Sequence, residues 1–137
     1  MQTKNIVTAG IAAGFMLLIL MMVSGYLVNL VLPTDISQYG GMREMNDPVM
    51  NLFYFYPFVI AFAAAVVFDT IRDCLKGDRN QKGLMFGGLL LLIMTIPSLY
   101  VMFTSMTWPA GFYFSTGIWE IVTFPLMGIM FVKIWKV

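Results

Sequence analysis

Long apolar stretches separated by short polar segments dominate the chain. The hydrocarbon core of a bilayer is about 30 Å thick and a helix rises about 1.5 Å per residue, so a helical span needs roughly 20 apolar residues. Four stretches are long enough, and we predict helices at about residues 6–32, 50–75, 84–106 and 111–135. The two longer polar segments between them, residues 33–49 and 76–83, are predicted to form loops.

A bilayer restricts how such stretches fold, because lipid offers no hydrogen-bond partner to backbone N–H and C=O groups. A span is therefore a helix or a strand of a closed barrel, and these stretches are too long and too continuously apolar for barrel strands. Short connections make consecutive helices antiparallel neighbours. We predict an all-α membrane protein in which residues 1–137 form a single transmembrane domain, a four-transmembrane-helix bundle with up-down-up-down topology.

The first and third predicted spans share a pattern that favours an internal repeat. At one constant offset, Ser24 aligns with Ser98 and Tyr26 with Tyr100, and the leucine-rich stretches before them also align. The bundle is then a duplicated helical hairpin whose two copies have the same orientation in the membrane. The alternative is that leucine-rich helices align with one another easily, without any duplication.

Basic residues predict how the bundle lies in the membrane, because lysine and arginine beside the spans are retained on the cytoplasmic side. Arg43 is the only basic residue in the segment 33–49. All the others lie at the two termini or around the segment 76–83: Lys4, Arg72, Lys76, Arg79, Lys82, Lys133 and Lys136. We expect both termini and the 76–83 loop to be cytoplasmic and the 33–49 loop to lie on the outer side of the membrane.

Composition narrows the available chemistry: 60% of the residues are hydrophobic, 11% are charged, and the chain contains no histidine and one cysteine, Cys74. A Cys/His zinc site, haem ligation through histidine and a histidine-assisted nucleophile are therefore excluded, and so is an internal disulfide. The formal net charge of +1 gives no electrostatic footprint for nucleic acid. We expect neither enzyme activity nor a cofactor.

Glu120 is the strongest candidate for a functional side chain, because it is the one acidic residue well inside an apolar span. A charge at bilayer depth costs roughly 2.5–3.5 kcal/mol on insertion scales, so such a residue faces the bundle interior and is paired, hydrated or protonated. Thr116 and Thr123 recur on the same helical face. Since no basic residue lies at its depth, we expect the carboxyl group to be neutral.

Two serines are predicted to lie at the same depth in the membrane as Glu120. Ser24 and Ser98 lie as far from the outer ends of their helices as Glu120 does from its own, about 12 Å. We predict a buried polar node of Glu120 with Ser24 or Ser98, joined by Tyr26 or Tyr100. The node is either a proton or cation site or a hydrogen-bonded carboxylic acid that holds helices together.

Small residues spaced four apart form the next pattern, and they let helix backbones approach closely. Gly10 and Gly14 form such a pair in the first span, and Gly83 and Gly87 form one at the start of the third. Packing inside the bundle is favoured over a docking face for another protein.

Three methionines lie in or beside the predicted outer loop, at Met42, Met45 and Met50. Thioethers are soft ligands that select Cu(I), which supports a weak copper-site hypothesis. Methionine is also a common filler of irregular apolar contacts. Because no histidine or cysteine lies nearby, we favour the absence of a metal site.

Two motifs carry a resemblance to a known group of proteins. The first is TAGIAAG at residues 8–14, and the second is GLMFG at residues 83–87, followed by PSLY at residues 97–100. In these motifs, and over most of its length, the chain resembles small uncharacterised four-helix integral membrane proteins of prokaryotes. The resemblance implies the same fold and carries no established activity over to any residue.

These features favour a non-catalytic accessory or assembly subunit of a larger membrane complex, because the chain is small, poor in polar groups and supplied with small-residue faces. Its expected partners are the lipid bilayer and other membrane protein subunits, or further copies of itself. The alternative is an oligomeric proton- or cation-linked transporter or channel that uses Glu120. A lipid- or quinone-modifying enzyme has no constellation of base, nucleophile or metal ligands to support it.

Overall fold

The computed structural model describes residues 2–33, 35, 43–44 and 46–137, and these residues form helices and no strand. The α-helices are α1 (Thr3–Val31), α2 (Tyr56–Ile71), α3 (Arg79–Leu90), α4 (Ile96–Ser105) and α5 (Ala110–Trp135).

Three irregular helical segments extend these helices. A 3₁₀-helix, Pro48–Phe55, leads into α2, and a short one, Arg72–Cys74, follows it. A π-helix, Leu91–Thr95, joins α3 to α4. Within the described chain, four continuous helical stretches are therefore long and apolar enough to cross a membrane: span 1 (Thr3–Val31), span 2 (Pro48–Cys74), span 3 (Arg79–Ser105) and span 4 (Ala110–Trp135).

The four predicted spans are confirmed as helices, but the predicted loop 76–83 is shorter because span 3 already begins at Arg79. Asp78 accepts a hydrogen bond from the Gln81 amide at 2.9 Å, and the Gln81 side chain accepts one from the Asp78 amide at 3.1 Å. Such a capping box satisfies backbone amides that otherwise lack partners at the start of a helix. The helix therefore starts inside the segment predicted as a loop.

Span 1 packs against spans 2 and 4. Two phenylalanine rings of span 2 occupy the space that a Cβ atom would need at two glycines of span 1: Phe62 lies on Gly10 and Phe58 lies on Gly14. The later glycine of span 1 contacts the earlier phenylalanine of span 2, so these two spans run in opposite directions. The absence of a side chain at both glycines is what lets the aromatic rings lie directly on the α1 backbone.

Spans 3 and 4 pack even more closely, backbone to backbone. A Cβ atom added to Gly83 would lie 2.7 Å from Cα of Ile129, and one added to Gly87 would lie 2.5 Å from Cα of Pro125. Gly128 completes this contact, because its own Cβ would collide with the carbonyl of Gly83. These spans also run in opposite directions. The up-down-up-down order across a membrane, like the duplicated hairpin, stays a prediction.

The buried core lies at the end of the bundle that carries most of the basic residues, which we call the basic end. The ring of Phe68 lies at its centre, with centroids 5.0 Å from Phe86, 5.6 Å from Phe131 and 5.2 Å from Trp135. Edge-to-face contacts of this kind stabilise by about 0.5–1.5 kcal/mol each beyond the area they bury. Spans 2, 3 and 4 are thereby joined at one end.

The opposite half of the bundle contributes almost nothing to the core. We call the described residues of 18–56 and 96–118 the distal half, and among them Gly111 is the single buried residue. Tyr113 ties α4 to α5 there, since its hydroxyl donates to the carbonyls of Met106 at 3.0 Å and Met102 at 3.3 Å. The bundle is therefore tightly packed at the basic end only.

Candidate functional site

Glu120 lies in the middle of α5 and is buried, with 5% of its surface exposed. Thr123, three residues on and thus on the same face of α5, is 0% exposed, and Thr95 at the end of the π-helix is 4% exposed. The Thr95 side chain lies beside the Glu120 carboxyl group. We call Glu120, Thr95 and Thr123 the polar cluster.

The polar cluster lacks hydrogen bonds. Oε2 of Glu120 and the hydroxyl oxygens of Thr95 and Thr123 are buried and have no hydrogen-bond partner among the described residues. Thr95 is close to the carboxyl group, but the two do not reach hydrogen-bond geometry. Leaving a buried polar group unpaired costs about 1–3 kcal/mol. The cluster therefore leaves buried oxygen atoms unpaired, which a partner from outside the described chain could satisfy.

Thr95 is the last residue of an irregular turn of span 3. The Ile96 amide donates to the carbonyl of Leu91, five residues back instead of four. A π turn of this kind holds one extra residue, which rotates the helix beyond it by about 100° relative to a regular helix. In the rotated helix Ser98 is exposed, whereas Thr95 is buried against span 4. Such turns occur frequently at functional sites.

The predicted partners of the buried carboxyl group lie elsewhere. Ser24 is half-buried, and its hydroxyl donates to the carbonyl of Met21 in its own helix at 3.1 Å. Ser98 is exposed, and Tyr26 and Tyr100 are 68% and 70% exposed. The structure thus brings neither serine nor either tyrosine into the polar cluster.

Only one of the two threonines predicted to share the face of Glu120 belongs to the polar cluster. Thr123 belongs to the polar cluster, whereas Thr116 is half-buried one turn away in the distal half. The predicted node therefore keeps Glu120 and Thr123 from one helix and gains Thr95 from span 3.

The relative heights of the helices explain why Ser24 does not join. The indole N–H of Trp119 donates to the carbonyl of Leu17 at 3.2 Å, so this part of α5 is level with Leu17. Ser24 lies seven residues further along α1, which is about 10 Å. The predicted contact with Ser24 required the outer ends of the helices to lie at one level, and they do not.

The weak copper hypothesis falls mostly outside the described residues, because Met42 and Met45 are not among them. Met50 is half-buried in the 3₁₀-helix before α2. Within the part of the chain that the structure describes, no group of three or more His, Cys, Asp or Glu side chains is placed to hold a metal ion.

A second polar site lies at the basic end, where the sequence predicts a pair of Asp69 with Arg72 on the helix end but not a buried carboxylate that joins several spans. The side chain of Asp69 is 4% exposed and lies 3.7 Å from the guanidinium group of Arg72. Its Oδ1 accepts a hydrogen bond from the Trp135 indole at 2.8 Å, and Oδ2 accepts one from the Gln2 amide at 3.1 Å. One carboxylate thus joins spans 1, 2 and 4. The sequence feature that could have indicated this site is Asp69 itself, an acidic residue that interrupts an apolar stretch.

The two sites differ in what they can do. Asp69 is fully engaged with protein donors and has a structural role, whereas the polar cluster offers unpaired oxygen atoms and no arrangement of nucleophile and base among the described residues. No family model, curated protein or solved structure matches the chain. The function is therefore inferred from the packing of the bundle and from the polar cluster.

Proposed function

We propose that this protein is a non-catalytic accessory or assembly subunit of a larger membrane complex, and that the distal half binds the partner. One observation carries the proposal. The spans pack closely at the basic end, whereas the distal half contributes a single buried residue. A transmembrane helix of another subunit that packs against the distal half would complete the bundle.

Polar side chains favour a protein over lipid as the neighbour of the distal half. Ser98 and Tyr100 are exposed on α4, and Thr116 is half-buried on α5. Lipid tails offer no hydrogen-bond partner, whereas a transmembrane helix brings side chains that bond across the contact. We therefore expect the partner helix to present serine, threonine, asparagine or glutamine to this face.

One glycine of the distal half provides room for a second helix to approach closely. A Cβ atom added to Gly25 in α1 would meet no atom within 4 Å. Glycine inside a helix is roughly 0.5–1 kcal/mol less stable than alanine, and at Gly25 no contact within the described chain offsets that loss. Close packing of a neighbouring helix would offset it.

Site-specific photo-crosslinking in the native membrane tests this proposal. A photoreactive amino acid at Gly25 should cross-link to one protein, which also co-purifies stoichiometrically in native nanodiscs without irradiation. The matched control is Val67, which is 45% exposed on the well-packed part of span 2 and should label lipid alone. Cross-links from Gly25 to a second copy of the chain, or to lipid only, would contradict the proposal.

We also propose that the protein lies in the cytoplasmic membrane of a prokaryote, with both termini and the 76–83 loop on the cytoplasmic side and the 33–49 loop on the outer side. The distribution of basic residues supports this orientation. Cys74 is exposed beside the 76–83 loop, so a membrane-impermeant maleimide should label it in inverted vesicles and not in intact cells. A cysteine at Asn46 in a Cys74→Ser background should behave in the opposite way. Labelling of Cys74 in intact cells would reverse the assignment.

Proton- or cation-linked transport is a second candidate, and the unpaired Oε2 of Glu120 favours it. Glu120→Gln keeps the shape of the side chain and removes its ability to ionise. If the protein transports ions, the variant should assemble normally in proteoliposomes and lose the flux. Unchanged flux, or a change in stability alone, would leave the subunit function as the better proposal.

A further inference from the structure

The polar cluster has the composition of a cation site. It contains one carboxyl group and two hydroxyl groups inside an apolar core, with Thr95 beside the Glu120 carboxyl group and Thr123 on the same face of α5. Buried oxygen atoms of all three residues make no hydrogen bond with the described chain. We propose that Glu120, Thr95 and Thr123 form an occluded binding site for a monovalent alkali cation such as Na⁺. This site goes beyond the subunit function and does not depend on it.

The balance of charge points to a cation with a single charge. A buried carboxyl group either takes up a proton, as expected from the sequence, or is ionised with a positive charge beside it, and a bound cation competes with the proton. Among the described residues, no lysine or arginine forms an ion pair with Glu120. One bound Na⁺ would neutralise the carboxylate, whereas a divalent ion would leave an excess positive charge, because the described residues place no second carboxyl group in the polar cluster.

The ligand atoms have the right chemistry. Hard cations prefer oxygen, and the polar cluster offers carboxylate and hydroxyl oxygens without nitrogen or sulfur ligands. Backbone carbonyls at helix interruptions can add further ligands, as they do at cation sites in interrupted transmembrane helices. Pro125 has no N–H, so the carbonyl of Ile121, next to Glu120, lacks its ordinary helical donor. Pro97 has the same effect just after Thr95 in span 3.

Two buried aromatic residues are the sequence neighbours of Glu120 and Thr123 in α5. Trp119 is 5% exposed and Phe124 is 0% exposed, and their ring centroids lie 6.3 Å apart. The indole is held in place by its hydrogen bond to the Leu17 carbonyl. Thr95 is the last residue of span 3 before the distal half begins, so the site lies where the buried core ends. An ion would therefore approach from the distal half.

The experiment measures cation-specific stabilisation of the protein in nanodiscs. A ligand that binds the folded state raises its stability in proportion to the logarithm of ligand concentration once binding is saturated. We expect the thermal midpoint of the wild-type protein to rise with NaCl and not with choline chloride at equal ionic strength. Glu120→Gln should abolish the difference between the two salts. Equal midpoints in both salts for the wild-type protein would overturn the site and leave water as its occupant.

Threonine variants separate the ligands from the general polarity of the region. Thr95→Val and Thr123→Val keep the carboxyl group and should each weaken Na⁺ binding about tenfold, the effect of losing roughly 1.4 kcal/mol of binding free energy. Thr116→Val is the matched control, because Thr116 lies on the same helix outside the polar cluster and its loss should leave Na⁺ binding unchanged. Equal weakening by all three variants would show that no defined site exists.

Direct binding of radioactive Na⁺ to the wild-type protein covers the case in which Glu120→Gln does not fold. Saturable binding of one ion per chain, weakened in the folded Thr95→Val variant, would support the site, and non-saturable binding would contradict it. The outcome is separate from the proposed functions. Na⁺ binding without flux would establish the site and speak against transport, and neither result changes the cross-links expected from Gly25.

Discussion

The indole N–H of Trp135 donates a hydrogen bond to Oδ1 of Asp69 at 2.8 Å, between the last turn of span 4 and the last α-helical turn of span 2. The same carboxylate accepts a hydrogen bond from the Gln2 amide, so three spans are joined through one nearly buried side chain. The aromatic cluster around Phe68 lies directly beside this contact. Packing and hydrogen bonding therefore reinforce each other at the basic end, where the bundle is closed.

Trp135→Phe should lower the stability of the protein by about 1–2 kcal/mol, because it keeps an aromatic ring for the contact with Phe68 and removes the indole donor. Thermal or detergent-induced unfolding in mixed micelles, followed by near-UV circular dichroism, measures the effect. The control is Asp73→Asn, since the Asp73 side chain is 85% exposed and its loss should change little. Equal stability of Trp135→Phe and the wild-type protein would show that the hydrogen bond contributes nothing.

The spans themselves were predictable from the sequence because the length and apolarity of a helix are local properties. The close approach at Gly83 and Gly87 was predictable for the same reason, since small residues spaced four apart form one narrow face. The capping box that starts span 3 was readable too, as an aspartate three residues before a glutamine, Asp78 and Gln81. It was missed because hydropathy alone defined the boundary.

The partners of Glu120 were not predictable, because they depend on how the helices slide and rotate against one another. A π turn in span 3 has no marker in the local pattern apart from the nearby Pro97, and yet it changes which residues beyond it face span 4. The height of α1 against α5 is set by the contact between Trp119 and Leu17, two residues that are distant in sequence. The helical face that Glu120 shares with its own helix therefore pointed to Thr123. It could not point to Thr95, which lies in another span.

Asp78→Ala should destabilise the start of span 3 by about 1 kcal/mol, the usual loss when an N-cap side chain is removed. The Gln81 amide then loses its acceptor, and the first turn of α3 becomes exposed to exchange with solvent. Hydrogen exchange measured by mass spectrometry should show faster exchange in residues 79–82 and no change in α5. Asp78→Asn is the matched control, because asparagine caps helices about as well as aspartate. Unchanged exchange in Asp78→Ala would contradict the role of the cap.

Asp47 provides a pH-dependent contact outside the spans. A hydrogen bond from the Val49 amide at 2.8 Å and the Arg43 guanidinium group at 2.9 Å hold the pKa of its carboxyl group below the ordinary value. Because the folded-state pKa is lowered, the stabilisation is present above the ordinary pKa of an aspartate and is lost as the pH falls through the lowered value. We therefore expect the 3₁₀-helix that begins at Pro48 to loosen only in acid.

Carboxyl-carbon NMR of protein labelled at aspartate measures the Asp47 pKa directly. Arg43→Gln should raise the pKa of Asp47 and still leave it below the ordinary value, because the larger contribution, the Val49 amide, remains. A pKa of Asp47 in the wild-type protein at or above the ordinary aspartate value would refute both contacts. The same titration should leave the signals of α5 unchanged, since the contact is confined to the loop end of span 2.

Gly87 and Gly88 are adjacent in α3 and offer a matched pair for testing the helix contact. At Gly87 an added methyl group would lie 2.5 Å from Cα of Pro125, a backbone atom that cannot move without shifting span 4, whereas at Gly88 it would meet nothing within 4 Å. Gly87→Ala should therefore lower stability by about 1–3 kcal/mol through overpacking. Gly88→Ala should raise the stability of the isolated chain by about 0.5–1 kcal/mol, because alanine favours the helix. Unfolding measurements on both variants decide the matter, and a Gly87→Ala protein as stable as Gly88→Ala would mean that spans 3 and 4 do not meet at this glycine.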